Sequence, residues 1–144
     1  MKRILLASLL AGLVATVAMI STFAQAAEDK KGKAQSIKQI MKCAFEEDTG
    51  CMDVISSMVT EKEPKWDVIQ GKSKEWVKAA ADLGKNKPKK GSAESWEKLS
   101  KKWFDDVKTL DVATDKKDVK ATAAALKTIE GSCKGCHPAH KGKD

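Results

Sequence analysis

Between Ser92 and Leu110 the apolar residues Trp96, Leu99, Trp103, Val107 and Leu110 recur at steps of three, four, four and three, with lysines and acids between them. That is the period of one face of an α-helix, and no stretch of the chain alternates with the period of a strand. Ser92 is suited to cap the start of this helix. The four tryptophans of the chain lie on stripes of this kind, so they read as core and pocket filling rather than as electron-transfer stations.

Three further segments follow the same rule. Ile37, Ile40, Met41 and Ala44 share one helical face, after which Asp48-Thr49-Gly50 interrupts the pattern. Cys51 to Val59 resumes it (Cys51, Val54, Ile55, Met58), either as a last turn of the first helix or as a short separate one. Glu61-Lys62-Glu63-Pro64 suits a helix start, and Trp66, Ile69, Trp76, Ala80 and Leu83 mark the buried side of a second helix that Gly84 can stop. Lys85 to Gly91 reads as a basic surface linker. After the Trp96 helix, Thr114 or Asp115 starts a fourth, with Val119, Ala123, Leu126, Ile129, Cys133 and His137 along one stripe. Pro138 is expected to end it at His137, leaving a short exposed tail that includes His140. Four helices joined by short connections predict an all-α, antiparallel four-helix bundle.

The fourth helix ends in Cys133-Lys134-Gly135-Cys136-His137, then Pro138-Ala139-His140. Two cysteines at this spacing with a histidine directly after the second form a haem c attachment motif. Cys133 and Cys136 would make thioether bonds to the haem vinyl groups, and His137 would be the proximal axial ligand. A zinc site built from Cys133, Cys136, His137 and His140 is the alternative, but four ligands within eight residues leave little loop to wrap around one ion. A thioredoxin-like dithiol would need a strand ahead of it, and none precedes Cys133.

Met1-Lys2-Arg3, an apolar run from Ile4 to Phe23 and the small-x-small box Ala24-Gln25-Ala26 read as a secretory signal peptide over residues 1–26, with a haem domain over 27–144. Export to the periplasm or an equivalent lumen is where haem c is attached, and no membrane span is expected after cleavage. The whole chain carries a formal charge of +7, and after Arg3 every basic side chain apart from histidine is lysine. Dispersed lysine suits either an ordinary solvated surface or docking to an acidic redox partner. Nucleic acid is not an expected partner of an exported chain without an arginine cluster.

This arrangement resembles the class II cytochromes c, the cytochrome c′ family, over residues 37–140. The resemblance implies one covalent haem c at the C-terminal end of the last helix, its distal face covered by a residue of the first helix. Low-spin relatives supply a methionine there, in a stretch similar to Ile-Lys-Gln-Ile-Met-Lys at 37–42, and Met41 falls on that position. The arginines of the family's distal and post-histidine regions have no counterpart here, so none of their roles transfers. Cys43 and Cys51 are the remaining cysteines. They read as a disulfide closing the loop around Asp48-Thr49-Gly50, as a thiolate alternative to Met41 on the iron, or as free thiols. Cys43 and Met41, about 200° apart on a helix, cannot both face the haem. The resemblance also implies a homo- or heterodimer through the first helices, with Phe45 or Val59 as surface contacts.

The functional expectation is a non-enzymatic, single-electron carrier. Two other readings stand beside it: a haem protein binding nitric oxide or carbon monoxide at the distal face, and a haem subunit of a larger redox complex. No acid–base pair over a substrate pocket is recognisable.

Overall fold

The computed structural model describes residues 33–142, and the signal-peptide reading of residues 1–26 lies outside them. Among the described residues the chain is all-helical, with no strand, and has five helices: α1 (Ile37–Phe45), α2 (Cys51–Val59), α3 (Trp66–Leu83), α4 (Ala93–Asp115) and α5 (Val119–His140). No described helix is long and apolar enough to cross a membrane.

Local chemistry sets most of the boundaries. Ser36 caps α1 in a reciprocal box with Gln39, and the hydroxyl of Ser92 and the carboxylate of Asp118 accept backbone N–H groups at the starts of α4 and α5. The segment after the Asp48-Thr49-Gly50 break is a separate helix. Asp48 takes a left-handed conformation (φ 61°), and the Gly50 N–H reaches back to the Glu46 carbonyl at 2.7 Å. A Cβ at position 50 would sit 2.5 Å from the Glu46 nitrogen and 2.6 Å from its oxygen, so only glycine allows this close a return. α3 begins at Trp66, after Pro64 rather than around it. α4 runs on to Asp115, past the expected start of the last helix, and the chain turns through Lys117 (φ 55°) into Asp118.

The core joins the expected stripes. Ile40, Ala44, Ile55, Ile69, Trp76, Ala80, Leu83, Trp96, Trp103, Val107, Leu110, Leu126 and Ile129 are all buried. Phe45, Trp76 and Trp103 form an aromatic cluster, with ring centroids 5.8 to 6.4 Å apart. Phe45 is half-buried, and Val59 is buried rather than the surface residue expected of it. A polar seam also crosses α3 and α4. The Ser73 hydroxyl lies 2.6 Å from Asp111 Oδ1 and 2.9 Å from Thr114 Oγ1, while Gln70 donates to the Thr114 carbonyl. Both buried hydroxyls of that contact, on Ser73 and Thr114, are satisfied, which is what allows them to be buried beside the half-buried Asp111.

α5 departs from its expected face and its expected end. Val119 and Ala123 are exposed, and the buried positions before the motif are Thr122, Ala125, Leu126 and Ile129. The helix also continues through Pro138 to His140, although an interior proline removes a helical hydrogen bond and costs about 3 kcal/mol. What holds the last turn is His140. Instead of an exposed tail residue it is 4% exposed, its Nδ1 donates to the Lys90 carbonyl (3.0 Å), its Nε2 lies 3.0 Å from the Ser95 hydroxyl, and its ring meets Trp96 edge-on at 5.4 Å. Gly91 passes so close that a Cβ there would lie 2.6 Å from His140 Nδ1, and its φ of 84° is open to glycine. His140→Ala is expected to cost about 2 kcal/mol, from two hydrogen bonds at about 1 kcal/mol each. Hydrogen exchange should accelerate selectively at residues 135–141, where the interior proline already leaves the helix one bond short.

Candidate functional site

The helices do not pack on one another evenly. α4 lies against α3 and α5, α3 carries α1 and α2, and α2 touches α1 and α5, but the α1 backbone stands off from α4 and α5, reaching α4 only through the Phe45 ring on Trp103. A cavity of about 230 Å³ fills the space this leaves. On the α1 side it is lined by Met41 and Phe45, and on the α5 side by Gly131, Ser132, Cys133, Gly135, Cys136 and His137. Leu83 from α3 and Leu99, Lys102 and Trp103 from α4 complete it. Apart from Lys102, Ser132 and His137 the side chains facing it are apolar or sulfur-bearing.

The helical period explains why these residues meet. Cys133, Cys136 and His137 fall at spacings of three and one on α5, so they share one side of its final turns. Cys133 and Cys136 are half-buried and His137 is exposed. Gly131 and Gly135 have no atom within 4 Å of where a Cβ would be, so the α5 surface beside the cysteines is bare backbone with open space above it. The Cys133 thiol donates to the Ile129 carbonyl at 3.8 Å. Burial pushes the Cys133 thiol above its ordinary value, with the Glu130 charge adding to the effect. Burial likewise raises Cys136, helped by the neighbouring Cys133. At the cavity's edge Lys102 is paired with Asp106 at 2.6 Å.

Of the sequence-predicted residues, Met41, Cys133, Cys136 and His137 line this one cavity, from opposite sides. Cys43 and Cys51 do not line it. Their sulfurs lie 3.9 Å apart as two thiols, beside Glu75 of α3, at the junction of α1, α2 and α3. Burial raises both, and for Cys51, which is fully buried, the rise is large and is reinforced by Cys43 and Glu75. Glu75 has no neighbour in sequence that marks it, and only the packing of α3 on α1 brings it to the cysteines. The anchoring of the motif helix by His140, Ser95 and Lys90 was equally invisible in the residue pattern, the one available signal being a second histidine shortly after the motif.

Comparison of the chain with protein-family models, with curated proteins and with solved structures finds no match.

Proposed function

We propose that this chain is an exported, monohaem c-type cytochrome that carries single electrons, with α1, α3, α4 and α5 forming an antiparallel bundle and α2 a short insert within it. The observation that carries this reading is the shared cavity, which has a thioether on one wall and a Cys-x-x-Cys-His motif on the other. The donor set fits haem c: two thiols at attachment spacing, an imidazole next to the second, and Met41 on a different helix across the gap. Haem bound there supplies a one-electron iron couple, which a methionine–histidine ligand pair tunes to a raised potential.

The chain's own groups have distinct parts in this. Cys133 and Cys136 would anchor the group covalently, and His137, on the same helix, would supply the imidazole. Met41, on the opposite wall, would offer its thioether, while Phe45, Leu83, Leu99 and Trp103 would exclude water from the cavity and so strengthen the electrostatic control of the couple. Lys102 offers a cation for an acidic edge of the ligand, and the exposed lysines suit docking to an acidic redox partner in the periplasm or an equivalent lumen.

Optical spectra of protein secreted from a host with haem c attachment machinery test this. The expected result is a low-spin reduced spectrum unchanged by carbon monoxide and a ferric methionine-to-iron charge-transfer band. In Met41→Ala the band should vanish and carbon monoxide should shift the reduced spectrum. If the unsubstituted protein already responds to carbon monoxide, the gas-binding reading replaces the electron carrier. A secreted, folded protein with no covalent haem overturns both.

A further inference from the structure

Away from the cavity, Cys43 of α1, Cys51 at the first turn of α2 and Glu75 of α3 place their ligand atoms within 4.8 Å of one another. The two sulfurs are 3.9 Å apart, and Glu75 Oε1 is 3.7 Å from the Cys43 sulfur. Around a tetrahedral zinc ion with Zn–S bonds of about 2.3 Å and a Zn–O bond of about 2.0 Å, two sulfurs stand about 3.8 Å apart and a sulfur and an oxygen about 3.5 Å. The two observed separations are therefore close to the edges of such a tetrahedron.

The surroundings agree with the donor set. Lys72 Nζ holds the other Glu75 oxygen, Oε2, at 3.0 Å and is itself fixed by the Thr49 carbonyl at 3.2 Å, which leaves Oε1 turned toward the sulfurs. That is the kind of outer contact that orients a metal-ligating carboxylate. Charge also closes: two thiolates and a carboxylate carry three negative charges, which a divalent ion and Lys72 neutralise. Cys51 is buried but Glu75 is exposed, so an ion has a route in and water has access to a fourth position. Thiolate-rich sites of this kind favour zinc over harder divalent ions such as magnesium or calcium.

We propose that Cys43, Cys51 and Glu75 form a zinc site that ties α1, α2 and α3 together, with water as the fourth ligand. Binding releases the two thiol protons to solvent and involves no change of oxidation state. The site shares no residue with the cavity, and the proposal does not depend on what the cavity binds.

The test is zinc stoichiometry by elemental analysis, together with zinc-edge X-ray absorption, on the full-length secreted protein equilibrated with zinc under reducing, oxygen-free conditions and desalted. One zinc per chain is expected, with two sulfur scatterers at about 2.3 Å and lighter atoms at about 2.0 Å. Cys43→Ser and Cys51→Ser should each lose it. Glu75→Gln, an exposed change that leaves the core intact, should keep the circular dichroism spectrum and weaken zinc by about tenfold or more. Cys133→Ala with Cys136→Ala should retain it. No bound zinc, zinc unaffected by Cys43→Ser or by Glu75→Gln, zinc lost with Cys133 and Cys136, or Cys43 and Cys51 recovered as a disulfide from never-reduced, zinc-replete protein would each overturn the proposal.

Discussion

Cys133→Ser combined with Cys136→Ser is expected to take covalently held haem from one per chain to none, read as loss of the haem mass increment and of haem staining after denaturing electrophoresis. The effect is total because the thioether bonds are what survive denaturation, and both thiols face the same cavity. His137→Ala separates attachment from ligation. Its thioethers should remain, so staining persists, while the reduced spectrum loses its low-spin character because no other described histidine lines the cavity. His140 cannot substitute, since it is buried between Ser95, Lys90 and Trp96. Staining that persists in the double serine variant would mean that the motif does not hold the group, and the proposed function would fail with it.

Trp76→Ala is expected to cost about 3–5 kcal/mol, measured as a fall in the denaturant midpoint with the slope unchanged. Trp76 is fully buried and is the contact shared by Phe45 and Trp103, both of which also wall the cavity. Against a total stability of about 5–15 kcal/mol, that loss approaches unfolding for a domain of this size. Its indole N–H, however, meets no hydrogen-bond partner among the described residues. A buried, unsatisfied donor carries a desolvation cost of about 1–3 kcal/mol, which Trp76→Phe relieves while keeping a ring in the cluster. The phenylalanine variant should accordingly lie within about 1.5 kcal/mol of the parent. A loss as large as that of the alanine variant would show that the indole is engaged through its nitrogen.

Local sequence carries much of this architecture. Apolar steps of three and four in α3 and α4 name most of the residues that are buried there, Trp66 and Leu99 being half-buried, because a helix repeats its face every 3.6 residues whatever it packs against. Ser92 marks a helix start for an equally local reason, as its oxygen accepts a backbone donor three residues ahead, whereas the last helix is capped by Asp118 and not by the expected Thr114 or Asp115. The composition of the candidate site was legible too: Cys133, Cys136 and His137 are contiguous, so their grouping requires only that α5 be a helix.

What the sequence alone left undecided involves contacts between distant segments. Whether Cys51–Val59 extends α1 or stands alone turns on the Gly50 return to Glu46, a backbone approach that hydrophobic periodicity does not register. Pro138 argues locally for a helix end at His137, and it is overruled by His140 docking on residues some 45 to 50 positions earlier. Glu75 joins Cys43 and Cys51 only because α3 packs on α1, and Met41 comes to line the same cavity as Cys133 only because α1 and α5 stand apart. By itself the sequence determined the helical class, the faces of α3 and α4 and the residues of the motif, since these follow from backbone periodicity and local hydrogen bonding. Only the tertiary structure decided where α5 ends, which way its first turns face and which sulfurs share a cavity, since these depend on energies exchanged between residues far apart in the chain.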